Sequence, residues 1–155
     1  MTATAEPISR RRRQVLAAGA GLAAAVLVRP VAATPDELAA AIAAFAGGAP
    51  VRPGKVKLAV AALVDNGNTV PVTVSVDSPM TPADHVAAIA LFNERNPQRD
   101  VVRATFGPAS GRAQLDTRIR LATSQRLVAL ARFSDGSQWS AQVDVVVTLA
   151  ACIEP

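Results

Sequence analysis

The sequence predicts an antiparallel β-sandwich preceded by one short helix. From residue 56 onward apolar side chains alternate with polar ones, which is the pattern of strands that bury one face. Glycine, asparagine, aspartate and proline interrupt this pattern at short and fairly regular intervals. About seven short strands separated by such turns are typical of two sheets packed face to face.

The first 33 residues are predicted to be a signal peptide and not part of the fold. A basic block begins at Arg10 and is followed by the uncharged apolar residues 15–28. This stretch is shorter than the roughly 20 residues that a helix needs to span a bilayer. A small-residue cleavage site follows, with the cut expected between Ala33 and Thr34. The segment therefore predicts export, with no membrane association after cleavage.

Arg12 and Arg13 resemble the paired arginines of a twin-arginine signal, which predicts a periplasmic protein. An ordinary secretory signal that is rich in arginine is the alternative. Because five of the 16 basic residues and one of the 12 acidic residues lie in the signal, the rest of the chain carries 11 of each. A near-neutral domain lacks the basic surface that nucleic-acid binding requires.

A helix is predicted over residues 34–49. Thr34 can cap its N-terminus, Pro35 occupies the first helical position, and Glu37 completes a capping-box pattern. A run rich in alanine follows and ends at a pair of glycines, which commonly terminate helices.

The sandwich is predicted over residues 55–149. Residues 56–64 and 70–76 are expected to form a hairpin, joined by a turn with left-handed residues at 65–68. Residues 85–93 can form either a capped helix or a strand, and the turn after them favours a hairpin. The remaining strands are expected at 101–106, 112–121, 126–133 and 138–149.

The sequence contains no arrangement of side chains that predicts catalysis, a metal site or a cofactor. His85 is the only histidine, so the Cys/His ligand spacings of zinc sites are absent. A nucleophilic pair of Cys152 with His85 would require the C-terminal tail to fold back, and an ordinary strand-edge histidine is favoured. Arg112, Arg118 and Arg120 share one polar strand face, for which solvation is favoured over an anion site.

The most informative residue is Cys152, the only cysteine, which lies in a predicted C-terminal arm over residues 150–155. In an oxidising compartment cysteines normally form structural disulfides, but one cysteine cannot pair within its own chain. It is therefore inert, intermolecular or chemically used. The arm residues expected to present its sulfur are Ala150, Ala151, Ile153 and Glu154.

Two properties of this arm follow from its sequence. Negative charge from Glu154 disfavours the thiolate of Cys152, which predicts a slow nucleophile until an enzyme activates it. Measured from Leu149, the extended arm would carry Cys152 roughly 10 Å away from the sandwich.

Seven short motifs occur in the order in which a known family has them, at residues 66–74, 78–80, 96–97, 106–112, 117–122, 134–137 and 147–149. With the position of the arm, they resemble the SoxY family of sulfur-carrier proteins. The resemblance implies an immunoglobulin-like sandwich, twin-arginine export and a heterodimer with a SoxZ-like subunit. It also implies that Cys152 carries sulfur intermediates covalently between periplasmic enzymes of thiosulfate oxidation.

The end of the chain departs from the family pattern. SoxY arms end in Gly-Gly-Cys-Gly-Gly, whereas this arm reads Ala-Ala-Cys-Ile-Glu and resembles a SoxY-related subgroup named for that ending. Alanine and the β-branched Ile153 make a stiffer arm than glycine does. Two hypotheses remain: a covalent carrier without catalytic machinery of its own, or a non-catalytic periplasmic interaction protein whose cysteine is intermolecular or vestigial. An independent thiol enzyme is disfavoured, because no base or metal accompanies the cysteine.

Overall fold

The computed structural model describes residues 35–151, beginning with helix α1 at Pro35–Ala46. Proline suits the first turn, where its missing N–H has no helical acceptor. The helix ends as predicted at Gly47 and Gly48, whose φ angles of 61° and 83° lie in the left-handed region that glycine adopts readily. Within the described residues no helix is long and apolar enough to cross a membrane. The predicted cap, Thr34, lies outside them.

Nine strands follow, with a 3₁₀ turn at Pro108–Ser110 between the sixth and the seventh. They are β1 (Val51–Pro53), β2 (Val56–Ala59), β3 (Leu63–Asn66), β4 (Val70–Val76), β5 (Val86–Asn93), β6 (Asp100–Thr105), β7 (Ala113–Ile119), β8 (Gln125–Phe133) and β9 (Gln138–Leu149).

The strands form two sheets, which confirms the predicted sandwich. The larger sheet has the order β1-β9-β8-β5-β6, and β3 also pairs with β9. The smaller sheet has the order β2-β4-β7. Neighbouring strands are antiparallel except that β1 and β3 run parallel to β9. The long strand β9 is therefore paired along both of its edges.

The main core lies between the sheets, and the predicted alternation places its side chains correctly. In β4 the buried residues are every second one, with Val74 fully enclosed. In β9 the residues expected to face one way, Trp139, Ala141, Val143, Val145 and Val147, all pack into this core. Removing this apolar surface from water is the main stabilising contribution to the fold.

A second, smaller core lies on the outer face of the large sheet, beneath α1. Leu38 and Phe45 of the helix cover side chains of β5 and β8, and the Phe45 ring meets Phe92 edge-on at a centroid distance of 6.0 Å. Strand β5 is consequently buried on both faces. A strand buried on both faces has a continuous apolar sequence, which is why residues 85–93 do not show the two-residue period.

The predicted hairpin of residues 56–64 with 70–76 is correct only in its first part. The chain pairs with β4 only as far as Ala59, crosses to the other sheet, and pairs with β9 from Leu63. Val60 and Val64 both pack against the main core on either side of the crossing. The alternating pattern therefore continues through the crossing between the sheets, and the sequence alone does not reveal that crossing.

Candidate functional site

The candidate site is the point where β9 leads into the C-terminal arm. Ala150 is exposed, whereas Ala151 is buried, with 7% of its surface accessible. The other predicted site residues lie outside the described residues: Cys152, Ile153 and Glu154 of the arm, Arg12 and Arg13 of the signal, and the cleavage positions Ala33 and Thr34. What the structure defines is the attachment of the arm to the sandwich.

Three backbone segments meet at this attachment. The N–H of Ala151 donates to the carbonyl of Leu121 at 3.1 Å, and the N–H of Leu121 donates to the carbonyl of Gly67 at 2.9 Å. The N–H of Gly67 in turn donates to the carbonyl of Leu149 at 2.8 Å. We call this set of three hydrogen bonds the arm anchor. It fixes the backbone on both sides of Ala150.

A glycine is required at position 67 of the arm anchor, because there is no room for a side chain. A β-carbon at this position would lie 2.3 Å from the carbonyl oxygen of Leu121 and 3.0 Å from the nitrogen of Ala151. The left-handed turn predicted here is wrong, because the positive φ angles of the chain lie elsewhere among the described residues. The glycine permits a close approach of backbones and does not supply a left-handed residue.

The last residues of β9 are also held from the side. The N–H of Val147 donates to Ser124 Oγ at 2.9 Å, and Thr148 Oγ1 donates to the carbonyl of Asp65 at 3.0 Å. The sandwich therefore holds the chain as far as Ala151. The expected reach of the arm, counted from Leu149, has to be counted from Ala151 instead.

Asn96 organises the loop beside the arm anchor. Its Nδ2 donates to the carbonyl of Arg120 at 2.7 Å, and its Oδ1 accepts the N–H of Ala122 at 3.0 Å. One side chain thus holds both neighbours of Leu121, to which Ala151 is bonded. The sequence predicted only a turn at residues 96–97, because an asparagine before a proline carries no sign of a contact 24 residues away.

The same loop is tied to helix α1 by an ion pair. The side chain of Arg99 is only 8% exposed, and its guanidinium donates to Glu37 Oε2 at 2.6 Å and to the carbonyl of Asn96. Glu37 was predicted to cap the helix. Its described contact is instead with an arginine 62 residues later in the chain.

A cavity of about 430 Å³ opens next to this loop, between the sheet edges formed by β6 and β7. Arg118 and Arg120 lie on its rim and are exposed. The third arginine of the predicted polar face, Arg112, lies before the other end of β7. The pKa of Asp116, also near that end, is held below its usual value. The main cause is the hydrogen bond that Thr73 Oγ1 donates at 2.6 Å, and the positive charge of Arg112 contributes in the same direction.

His85 lies far from the arm. Its Nδ1 is 3.1 Å from the carbonyl of Thr81, and its backbone N–H donates to Ser134 Oγ beside the turn that precedes β9. Because β9 has 12 residues, its ends are about 36 Å apart at roughly 3.3 Å per residue. Cys152 follows Ala151 directly, about 3.8 Å away between Cα atoms, so a nucleophilic pair with His85 is excluded.

The comparisons with known proteins agree with this architecture. The model of the family "Sulfur oxidation protein SoxY" matches residues 42–152. The solved sulfur carrier protein SoxY from Chlorobium limicola f thiosulfatophilum is 26% identical, with a TM-score of 0.64 over 75% of this chain and 100% of that one. No curated protein sequence shows a significant match.

Two further solved structures share the fold alone. The superoxide reductase (neelaredoxin) from Ignicoccus hospitalis is 22% identical, with a TM-score of 0.54 over 61% of this chain and 80% of that one. A putative superoxide reductase from Thermotoga maritima is 20% identical, with a TM-score of 0.51 over 66% of this chain and 89% of that one.

Proposed function

Because the chain belongs to the SoxY family of sulfur oxidation proteins, we propose that it is a carrier subunit that binds its cargo covalently on Cys152. The observation that carries the proposal is the family match over residues 42–152, which ends on the only cysteine of the chain. A carrier of this kind needs one attachment atom and no catalytic side chains, since other enzymes load and unload it. We propose sulfur intermediates of thiosulfate oxidation or a related pathway as the cargo.

The arm anchor supports this role. Ala151 is the last described residue and is held by the sandwich, so the cysteine proposed to receive the cargo directly follows an anchored residue. The methyl group of Ala151 is buried, and a glycine there would leave its space unfilled. This supports placing the chain in the Ala-Ala-Cys-Ile-Glu subgroup, with an arm held closer to its domain than a Gly-Gly arm.

We propose a SoxZ-like subunit as the partner in a heterodimer. Three large apolar side chains are exposed near the arm, with 61% of Leu63, 54% of Val146 and 60% of Leu149 accessible. Leu63 and Val146 are directly paired between β3 and β9 and form a patch with one another. Exposed apolar side chains beside a sheet edge favour binding of another protein.

Co-expression with a SoxZ-like subunit from the same genome, followed by size-exclusion chromatography, should give a stable heterodimer. Val146→Lys should weaken it, because a charge on the patch would have to be desolvated. Gln142→Lys, at another exposed and uncharged position of β9, is the matched control. A chain that stays monomeric with every such subunit would contradict this partner.

We propose that the protein is exported by the twin-arginine pathway and matures by cleavage between Ala33 and Thr34. The proposal rests on the basic block and the short apolar stretch of the first 33 residues. N-terminal sequencing of periplasmic material should begin near Thr34. Recovery of intact Met1 in the bulk of the exported protein would refute the cleavage.

The carrier proposal is tested by intact-mass spectrometry of protein isolated from cells that oxidise sulfur compounds. A fraction of molecules should bear reductant-removable additions, such as sulfane sulfur or thiosulfonate. Cys152→Ser should abolish them without lowering the melting temperature, because the residue lies beyond the last strand. The interaction-protein hypothesis predicts instead a covalent dimer on non-reducing gels and no small adduct, and that result would reject the carrier role.

A further inference from the structure

A series of polar contacts joins helix α1 to the arm anchor across the loop of residues 94–99. Its first link is the ion pair of Glu37 with Arg99, at 2.6 Å. Glu37 lies in the first turn of the helix and is 49% exposed, whereas Arg99 is almost completely buried. The guanidinium of Arg99 also donates to the backbone carbonyl of Asn96. Because this arginine is buried, loss of the carboxylate would leave its charge poorly solvated, and the loop around it would have to adjust.

The side chain of Asn96 is the second link. Its Nδ2 donates to the carbonyl of Arg120 at 2.7 Å, and its Oδ1 accepts the N–H of Ala122 at 3.0 Å. These two residues flank Leu121, whose carbonyl accepts the N–H of Ala151 at 3.1 Å. The position of the Leu121 carbonyl therefore depends on the position of one asparagine side chain, and the hydrogen bond of Ala151 depends on that carbonyl.

Two further buried side chains hold Asn96 from within the sandwich. Asn93, at the end of β5, accepts the N–H of Asn96 at 3.0 Å, and Gln125, at the start of β8, donates to Asn96 Oδ1 at 2.7 Å. Within residues 35–151 only Arg99 extends this set of hydrogen bonds to the helix. Members of a buried polar network influence one another, so a change at its helix end is felt at Asn96.

We propose that Glu37 and Arg99 are positioning residues for the arm anchor and act on it through Asn96. With the ion pair intact, the loop holds the carbonyl of Leu121 where the N–H of Ala151 reaches it. Without the ion pair the loop shifts, and the end of the described chain is held less tightly. The seating of helix α1 on the sheet thus controls how firmly the start of the arm is fixed. This inference goes beyond the proposed function and holds for an arm without cargo.

The test measures amide hydrogen exchange by NMR in the chain without cargo. The Ala151 amide reports on the arm anchor. The Leu130 amide lies at the centre of β8, a strand paired along both edges, and reports on opening of the whole sandwich. The ratio of the two exchange rates separates an effect on the anchor from a general loss of stability, which a merely structural ion pair would cause.

In Glu37→Ala the ratio of Ala151 exchange to Leu130 exchange should rise about three- to tenfold. Alanine is the best helix former, so the substitution does not weaken helix α1 through its intrinsic propensity. Asp144→Ala is the matched control, because it takes the carboxylate from a different arginine, Arg126, whose ion pair at 3.1 Å does not include Asn96. The control should leave the ratio unchanged.

A double-mutant cycle tests the path through Asn96. Asn96→Ala should raise the ratio at least as much as Glu37→Ala, and Glu37→Ala should then add nothing further. If Asn96→Ala does not fold, Asn96→Asp replaces it, since it keeps the acceptor for Ala122 and loses the donor to Arg120.

Two results would overturn the proposal. One is an equal acceleration of the two amides in Glu37→Ala, which would make the ion pair merely stabilising. The other is an undiminished effect of Glu37→Ala in the Asn96 variant, which would place the coupling elsewhere. Failure of the carrier role is a separate result, namely the absence of adducts in cells.

Discussion

Replacing Gly67 by alanine tests whether the arm is fixed by a close approach of backbones. The new β-carbon would lie 2.3 Å from the carbonyl oxygen of Leu121, and side-chain carbons are essentially never found within 3.0 Å of such an atom. The two backbones must therefore separate by at least about 0.7 Å. Both hydrogen bonds of the Leu121 amide and carbonyl in the arm anchor then lengthen beyond their present 2.9 and 3.1 Å.

The expected cost combines two effects. Overpacking of a closely packed site typically costs about 1–3 kcal/mol. Weakening two backbone hydrogen bonds adds about 1 kcal/mol for each. We therefore expect Gly67→Ala to lower the free energy of unfolding by about 3–5 kcal/mol, which for a domain of this size lowers the melting temperature by about 10–15 °C.

Thermal unfolding followed by circular dichroism measures this loss, and hydrogen exchange of the Ala151 amide reports on the anchor itself. Gly107→Ala is the matched control, because its new β-carbon would meet no atom within 4 Å and its φ of −151° suits any residue. The control should melt within about 2 °C of the unchanged protein. Equal melting temperatures for the two variants would refute the steric argument. A destabilised Gly67→Ala with unchanged Ala151 exchange would refute the link to the arm.

Three further predictions concern the arm, a surface carboxylate and the helix contact. Ala151→Gly should lower the free energy of unfolding by about 1 kcal/mol, because it removes a buried methyl group. Ala150 is exposed, so Ala150→Gly should lower it by less than about half of that. Chemical denaturation measures both changes. Thr73→Val should raise the pKa of Asp116 toward its usual value. The variant should therefore be less stable than the unchanged protein above about pH 4, and the difference should vanish as the pH falls through the folded pKa. Melting temperature against pH measures this. Arg99→Met should destabilise the domain by about 1–3 kcal/mol through loss of charged hydrogen bonds, and an unchanged urea midpoint would contradict that.

The alternating strands could be predicted from the sequence because each buries one face. In β4 and β9 the side chains that face the core are every second residue, so the period of two is visible without knowledge of the partner strand. Strand β5 has no such period, because α1 covers its second face. The crossing after Ala59 was also not predictable, since valines pack on the same core before and after it.

The candidate site could be predicted only in part. The motif that contains Gly67 pointed to the correct family, but its role depends on Leu121 and Ala151, which are distant in sequence and meet only in the fold. Asn96 shows the same difficulty, because its amide bonds residues 24 and 26 positions later. Contacts of this kind are set by the order of strands in the sheets, and no local pattern encodes them.

The pairing of β9 along both edges determines how the domain responds to a force applied at its C-terminal end. A force on the arm acts along β9, whereas the hydrogen bonds of a ladder lie across the strands, so the ladders to β8 and β3 are loaded in shear and resist together. The hydrogen bond from Ala151 to Leu121 lies beyond the end of β9, so the force reaches it before it reaches the ladders. Under tension the chain should therefore lengthen by about two residues, Ala150 and Ala151, while the sandwich keeps its register, which would give a carrier of the proposed kind a short compliant tether on a stiff support.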